Sequence, residues 1–465
     1  MDEMVILSPT AILGYGFPES SFNEGLRRKP DVIAVDAGST DPGPYYLGSG
    51  LSFTDRAAVK RDLALMIPAG LERKIPVIIG SAGGSGADSH LRWTLDIVEE
   101  IAREKGLDFK LAVISSEISH EEVKKNLAAG RIQPLKPAPP LTEELIEQST
   151  SIVAQMGVEP FIKALEMRAE VIVAGRAYDP AVFACLAVKN GFDSGLAIHM
   201  GKILECAAIA ATPGSGSDCM LGTLRRDSFI LEPLSPERKC TTLSVAAHTL
   251  YEKSNPFILP GPGGVLDLNQ TTFTQTSDKA VEVRGSRFIP SQPGQYSLKL
   301  EAARPVGFRT VSFAATADPV MISQIGDITE AVRAKVRSNF KDLADSGFFL
   351  DFKIYGQKGV MGLFKNLPAP ENSAPAELSL IIEAVARSQE EANTICGFAR
   401  STLLHFGYQG RKSTAGNLAF PFSPSDFKAG AVYEFSLYHL MEVDDPAACF
   451  PVNLKNCRKG DCHDL

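Results

Sequence analysis

Five short apolar runs punctuate the first part of the chain, each ending in small, polar or acidic residues. They read Met4-Val-Ile-Leu-Ser8, Asp31-Val-Ile-Ala-Val-Asp36, Pro76-Val-Ile-Ile-Gly80, Phe109-Lys-Leu-Ala-Val-Ile-Ser115 and Glu170-Val-Ile-Val-Ala-Gly175. Val- and Ile-rich runs without polar alternation predict strands covered on both faces, as in a parallel sheet. Stretches of helical periodicity separate most of them. Helices are predicted at about 54–73, 88–105, 141–156 and 158–168. In the second of these, Leu91, Leu95, Val98 and Ile101 fall on one face. The proline-rich 134–140 segment reads as an extended crossing, and Thr142 as a helix cap. This alternation predicts an α/β domain over 1–227, with a mostly parallel, doubly wound, Rossmann-like sheet.

The pattern then changes twice. Residues 228–304 have short apolar runs, many threonines and the turn Pro260-Gly-Pro-Gly-Gly264, which predicts a β-rich connecting segment. Over 305–445 the predicted order is strand 307–315, helix 319–340, strands 348–355 and 377–384, helix 388–406 and strand 431–442. That order, βαββαβ, is the plan of a ferredoxin-like α+β domain. Residues 446–465 are polar and read as a flexible tail.

Composition narrows the classes of function. The net charge is -8, with no clustered basic run, which argues against nucleic acid as a partner. No apolar stretch has the length of a membrane span, and the first residues lack the basic start and apolar core of a signal peptide. The eight cysteines include no Cys-x-x-Cys spacing, so mostly reduced thiols and a cytoplasmic location are expected.

In parallel sheets ligands bind at the carboxyl ends of the strands. Here those ends carry four polar loops, 36–41, 80–86, Ser115-Ser-Glu117 and 175–179. Gly80-Ser-Ala-Gly-Gly-Ser-Gly86 opens a helix, and around Ser81, Gly83 and Gly84 its amides could hold an anion. The alternative is a tight turn packing helix on strand. The loop is neither a Walker loop nor Gly-x-Gly-x-x-Gly, so there is no ATP or NAD signature. Asp36 and Asp41 flank Ser39 and Thr40, where two carboxylates could bind a divalent metal or move a proton, or simply form a turn. Arg176 offers a planar fork to a substrate carboxylate; alternatively it pairs with Asp179, which begins the next helix.

Two histidines add candidate bases. On a predicted helix over 196–206, His199, Lys202 and Cys206 share a face, while Glu205 points elsewhere. His248 lies beside Tyr251 on another helix. Each histidine has the alternative of a satisfied core residue. Ser217 sits in the Gly/Ser loop 213–220, which lacks the Gly-x-Ser-x-Gly elbow of serine hydrolases.

Several of these runs resemble the acyclic terpene utilisation (AtuA-like) family: Gly14-Tyr-Gly-Phe-Pro18, Val35-Asp-Ala-Gly-Ser-Thr-Asp41, Ala174-Gly-Arg-Ala-Tyr-Asp-Pro180, His199-Met-Gly-Lys-Ile-Leu-Glu-Cys206 and Ala247-His-Thr-Leu-Tyr251. The resemblance extends over most of 4–445. It implies a place in the catabolism of branched acids and acyl-CoA compounds, often with a small companion protein, and in some members a ferredoxin-like segment. It brings no set of catalytic residues.

The expected function is therefore a lyase, a hydratase, dehydratase or isomerase, acting on a small carboxylic acid or its CoA thioester. Asp36, His199, Lys202 and His248 are the candidate proton-handling residues. Ser39, Thr40, Ser81, Gly83, Gly84, Arg176, Asp179 and Ser217 are the candidate binding residues. A homo-oligomer is expected. The rivals are a non-catalytic ligand-binding or assembly subunit, and a metal-assisted hydrolase with its ion near Asp36.

Overall fold

The five apolar runs form the strands Glu3–Ser8, Val32–Asp36, Val77–Gly80, Asp108–Ile114 and Val171–Ala174. They lie side by side and parallel, the last inserted between the third and fourth. Their residues alternate between two cores. Ile6, Ala34, Ile78 and Ile172 face one; Leu7, Val35, Ile79 and Val173 face the other. Helices Asp179–Lys189 and Ser194–Leu204 cover the first face with Val182, Phe183, Met200 and Ile203. Helices Arg56–Arg73 and Asp88–Lys105 cover the second with Leu63, Met66, Val98 and Ile101. Burial on both faces is why these strands show no polar alternation.

This computed structural model describes residues 2–251, 255–292, 294–341, 347–356, 375–412, 416–458 and 461–464. They fall into two compact units, one of Met1–Arg304 with Phe435–Leu465 and one of Pro305–Glu434.

In the larger unit the parallel block is the middle of an eleven-stranded sheet. Met220–Arg225, Ser228–Pro233, Val281–Arg284 and Thr272–Gln275 extend one edge, every pairing antiparallel. Val452–Arg458 and Asp461–Asp464 extend the other edge in the same sense. Antiparallel pairings outnumber parallel ones, so the sheet is mixed, not mostly parallel. The change comes at both margins of the parallel block, where Met220–Arg225 pairs antiparallel with Glu3–Ser8 and Val452–Arg458 with Asp108–Ile114.

Two expectations are corrected here, the end of one helix and the character of the tail. The predicted helix 141–156 stops at Gln148, and Ser151–Ala154 is a strand paired with Leu300–Ala303. Ile152 and Val153 are β-branched and gain a partner strand that the local sequence does not reveal. The 228–304 segment divides: part of it joins the large sheet, while Ile258–Gly261, Gly264–Asp267 and Arg287–Pro290 form a separate three-stranded sheet. Where a mobile tail is expected, Val452–Arg458 pairs along the whole of Asp108–Ile114 and buries Cys457. Cys457 is joined to Cys462, and the other six cysteines are thiols.

In the smaller unit, helices Pro319–Asn339 and Gln389–Leu404 place Met321, Ile325, Val332, Ile395 and Ala399 against Ala314, Leu350, Leu380 and Ile382 of the strands. Strand Leu378–Ala386 lies between Phe349–Tyr355 and the 308–316 part of Ser297–Thr316. The helices therefore cover one face of an antiparallel sheet.

Candidate functional site

Three neighbouring parallel strands end at one edge of the large sheet and deliver Asp36, Ser81 and Arg176 there. Asp36 is in register with Gly80, and the Ser81 amide donates to the Gly175 carbonyl at 3.0 Å. Arg176 organises the edge. Its Nη1 donates to Ser81 Oγ at 3.1 Å, to Asp179 Oδ1 at 2.8 Å and to the Ala177 carbonyl at 2.8 Å. Its Nε donates to Glu301 Oε2 at 2.8 Å. Among the described residues no protein group takes Nη2.

Glu301 is the hidden centre of this network. It comes from the Ser297–Thr316 strand, opposite Val153, and is fully buried. Its Oε1 accepts from Thr40 Oγ1 at 2.9 Å and from Lys299 Nζ at 2.7 Å. Burial alone would raise its pKa, but Arg176 and Lys299 outweigh that and hold it down at about 2. A buried charge is tolerable only with such pairing.

Asp36 is the exception in the cluster. It is buried, its Oδ2 accepts the Gly38 amide at 3.2 Å, and its Oδ1 has no partner, while the Arg176 charge and the Ser81 hydroxyl favour its ionised form. Burial first, and then the Asp179 charge, push its pKa well above the ordinary carboxylate range. A carboxyl so placed holds its proton to higher pH than an ordinary aspartate does.

A second group of polar side chains lies within electrostatic reach. Lys202 Nζ donates to Glu205 Oε1 at 2.6 Å, both side chains being buried. Glu205 therefore shares the face of Lys202, contrary to expectation, because a three-residue helical step brings the two side chains together. Burial works against the Lys202 charge, yet Glu205 holds its pKa above the usual value. Glu205 also helps raise the pKa of Asp36 and of Tyr178. His248 is buried, stacks on the Tyr251 ring with centroids 5.4 Å apart, and has no partner at Nε2. Burial and then Lys202 push its pKa down to about 4, so the imidazole is neutral at pH 7.

The other candidates are placed differently. His199 is a satisfied core histidine: its ring nitrogens meet Ser286 Oγ at 2.7 Å and Thr249 Oγ1 at 3.0 Å, with Phe229 edge-on. Burial, then Lys202, lowers its pKa to about 3. Ser39 and Asp41 bond each other in an exposed turn, Oγ to Oδ2 at 2.8 Å, and Thr40 alone of that loop turns inward. Ser217 is exposed, its amide bonded to Ser215 Oγ in a local turn. Among the described residues no three His, Cys, Asp or Glu side chains are grouped to hold a metal ion.

The Gly/Ser loop is spent on packing. The amides of Ser81, Ala82, Gly84 and Gly86 all donate to backbone carbonyls, and the loop is buried. A Cβ on Gly86, at φ +72°, would lie 2.1 Å from the Arg176 amide nitrogen. A Cβ on Gly84, at φ +98°, would meet the Phe53 ring at 2.9 Å, and one on Gly83 would meet His90. Gly86 thus lets the loop pass directly behind Arg176, and Gly83 and Gly84 let it pack on His90 and Phe53.

With the geometry in hand, the sequence profile of the acyclic terpene utilisation family protein AtuA matches residues 56–218 and 227–427. The chain belongs to the AtuA family. The matched segments contain Ser81, Arg176, Asp179, Lys202, Glu205, His248, Lys299 and Glu301, while Asp36 and Thr40 precede them. No curated protein matches the chain, and no solved structure does. Family membership in AtuA thus carries no catalytic assignment. No described helix is long and apolar enough to cross a membrane.

Reading the sequence misses Glu301, Lys299, Glu205 and Tyr178. Glu301 leaves one signal, an acid inside the otherwise apolar run Leu300-Glu-Ala-Ala303.

Proposed function

We propose that the Asp36–Arg176 edge is the acid/base site of a lyase, one that hydrates, dehydrates or isomerises a small carboxylic acid or its CoA thioester. The observation that carries this reading is Asp36: a buried carboxyl with a raised pKa and a partnerless Oδ1, in a cluster with Arg176. Such a group serves as a general acid toward a departing hydroxyl or a developing enolate. His248, neutral and open at Nε2, is the base. The Lys202–Glu205 pair influences both, Glu205 acting on Asp36 and Lys202 on His248. Arg176 Nη2 is the donor for a substrate oxygen.

Charge balance narrows the substrate. Glu301 and Asp179 already neutralise Arg176 and Lys299. A neutral thioester carbonyl fits such a cluster better than a free dicarboxylate does. We further read the parallel block as Rossmann-like and the smaller unit as ferredoxin-like, the latter from its βαββαβ element order.

One observation favours the second reading, a ligand-binding or assembly subunit serving a companion protein. His199, half of the expected proton-transfer pair, is bonded at both ring nitrogens. A thermal-shift screen separates the two, because ligand bound only to the folded state raises the melting temperature. Short carboxylates, branched acyl-CoA thioesters and divalent metals are tested on wild type and on Asp36→Asn. A thioester that shifts wild type and is turned over, but is only bound by Asp36→Asn, supports the lyase. Binding without turnover in both supports the subunit. A shift with metal alone favours metal-assisted hydrolysis.

A further inference from the structure

Beside the helix Asp179–Lys189, within the larger unit, lies a cavity of about 270 Å³. Ala181, Val188, Ile198 and Phe288 line it, with the rings of Tyr178 and Tyr296. The carboxyl in its wall, Glu159, accepts the Tyr296 hydroxyl at 3.0 Å, and burial raises its pKa. The lining is therefore mostly apolar, with Glu159 and Tyr296 paired to each other.

The cavity is built around the two tyrosines. A Cβ on Gly263, at φ +75°, would lie 2.9 Å from the Tyr296 ring, and one on Gly261 would lie 3.0 Å from the Tyr178 ring. Tyr178 also belongs to the strand-end cluster. It sits between Arg176 and Asp179 in the chain, and its hydroxyl feels the charges of Glu205 and Asp179. One ring thus stands in the cavity wall, within electrostatic reach of the polar edge.

We infer that the cavity binds the uncharged, apolar tail of the ligand whose carbonyl end is held at Arg176. The head of that ligand rests on the acid/base reading above; the tail rests on the cavity itself. A methylene takes about the room of a water, on the order of 30 Å³, so the cavity holds roughly nine such groups. The ligand class is an acyl chain of medium length. Each methylene buried there strengthens binding about fourfold.

Two ligand series test head and tail separately, by thermal shift on the full chain. n-Alkanols from butanol to decanol probe the cavity alone; acetyl-, butanoyl-, hexanoyl- and octanoyl-CoA probe both. The expected result is a half-saturating alkanol concentration that falls about fourfold per carbon until roughly eight or nine carbons, then levels. Val188→Trp fills the cavity and flattens that series; Ser194→Phe, from the neighbouring helix, does so if the first variant fails to fold. The acyl-CoA series follows the same length trend and weakens in Arg176→Lys. An alkanol series without length dependence, or one untouched by the filling variants, overturns the tail site. If acyl-CoA then still binds through Arg176 irrespective of length, the acid/base reading survives its loss. An alkanol trend with no acyl-CoA binding overturns the joining of tail to head, and with it the thioester reading.

Discussion

Glu301 Oε2 accepts the Nε proton of Arg176 at 2.8 Å, with the two side chains 0% and 3% exposed. The pair fixes the guanidinium plane, and Thr40 and Lys299 fill the remaining acceptor positions of the carboxylate. Arg176 is thus a structural post as well as a candidate binding group. Replacing it by Ala would not leave the fold untouched.

Breaking the pair from either side strands a buried charge. Glu301→Ala and Arg176→Ala are each expected to cost about 3–5 kcal/mol in urea unfolding. Glu301→Leu combined with Arg176→Met should cost clearly less than the sum of the single changes, because neither charge is left alone. Additive losses would mean that the two side chains do not depend on each other.

Acid should weaken the same pair. The Glu301 pKa is depressed to about 2 in the folded protein, against an ordinary value of 4.5. Its contribution is complete above the ordinary value and is lost as pH falls toward the folded one. Wild type should therefore lose stability steadily from about pH 4.5 to 2, on the order of 3 kcal/mol from this group. Glu301→Gln should show a shallower slope there. Equal slopes in the two proteins would count against the assignment.

His199 titrates in the opposite role, as a base kept neutral by burial. Its folded pKa of about 3 lies below the ordinary 6.5, so the unfolded chain binds more protons between those values. Stability is complete above pH 6.5 and declines as pH falls toward 3. His199→Phe should flatten this decline. It should also cost about 1–3 kcal/mol at pH 7, since Ser286 and Thr249 lose a partner. Ligand-induced thermal shifts should be unchanged, whereas a proton-transfer role for His199 would make them, or turnover, disappear.

The carboxy-terminal strand should act as a cover. Removing residues 452–465 exposes the Asp108–Ile114 edge, whose partner from Ile114 to Asp108 is Val452–Arg458. Unpaired edges of this kind template association. The truncated chain is expected to melt lower and to sediment as aggregates, and a monodisperse product of unchanged melting temperature would refute this.

Much of the fold was legible because both-face burial writes itself as unbroken Val/Ile runs. The five parallel strands fall within a residue or two of expectation, and so do helices Arg56–Arg73 and Asp88–Lys105. The helices and strands from Pro319 to Leu404 are as readable, since Met321, Ile325, Ile328, Val332 and Val336 repeat at helical spacing. What escaped depends on distant partners. Ser151–Ala154 is a strand only because Leu300–Ala303 lies beside it, and Val452–Arg458 only because Asp108–Ile114 has a free edge. The site divides in the same way. Asp36, Ser81, Arg176 and Asp179 were legible from strand-end position. Glu301 was not, because its counter-ion is far away in sequence. His199 misled for the converse reason: the hydroxyls that satisfy it come from Ser286 and Thr249, on other elements.

Asp36→Asn offers a consequence of the raised pKa. Between the ordinary carboxylate value and the raised one, the folded state binds more protons than the unfolded chain, so stability falls as pH rises through that window. Asparagine removes this penalty, and the variant should gain in melting temperature at pH 7 and very little at pH 4. A loss at both pH values would contradict it.

The most direct test is the protonation state of Asp36 itself. Protein labelled with 13C at the aspartate carboxyl carbons is titrated by NMR from pH 4 to 8, beside Asp36→Asn. One carboxyl signal is expected to keep its protonated position to clearly higher pH than the others, to be missing from Asp36→Asn, and to shift when an acyl thioester binds. If every aspartate has ionised by about pH 5, Asp36 holds no proton to give, and the acid/base assignment fails.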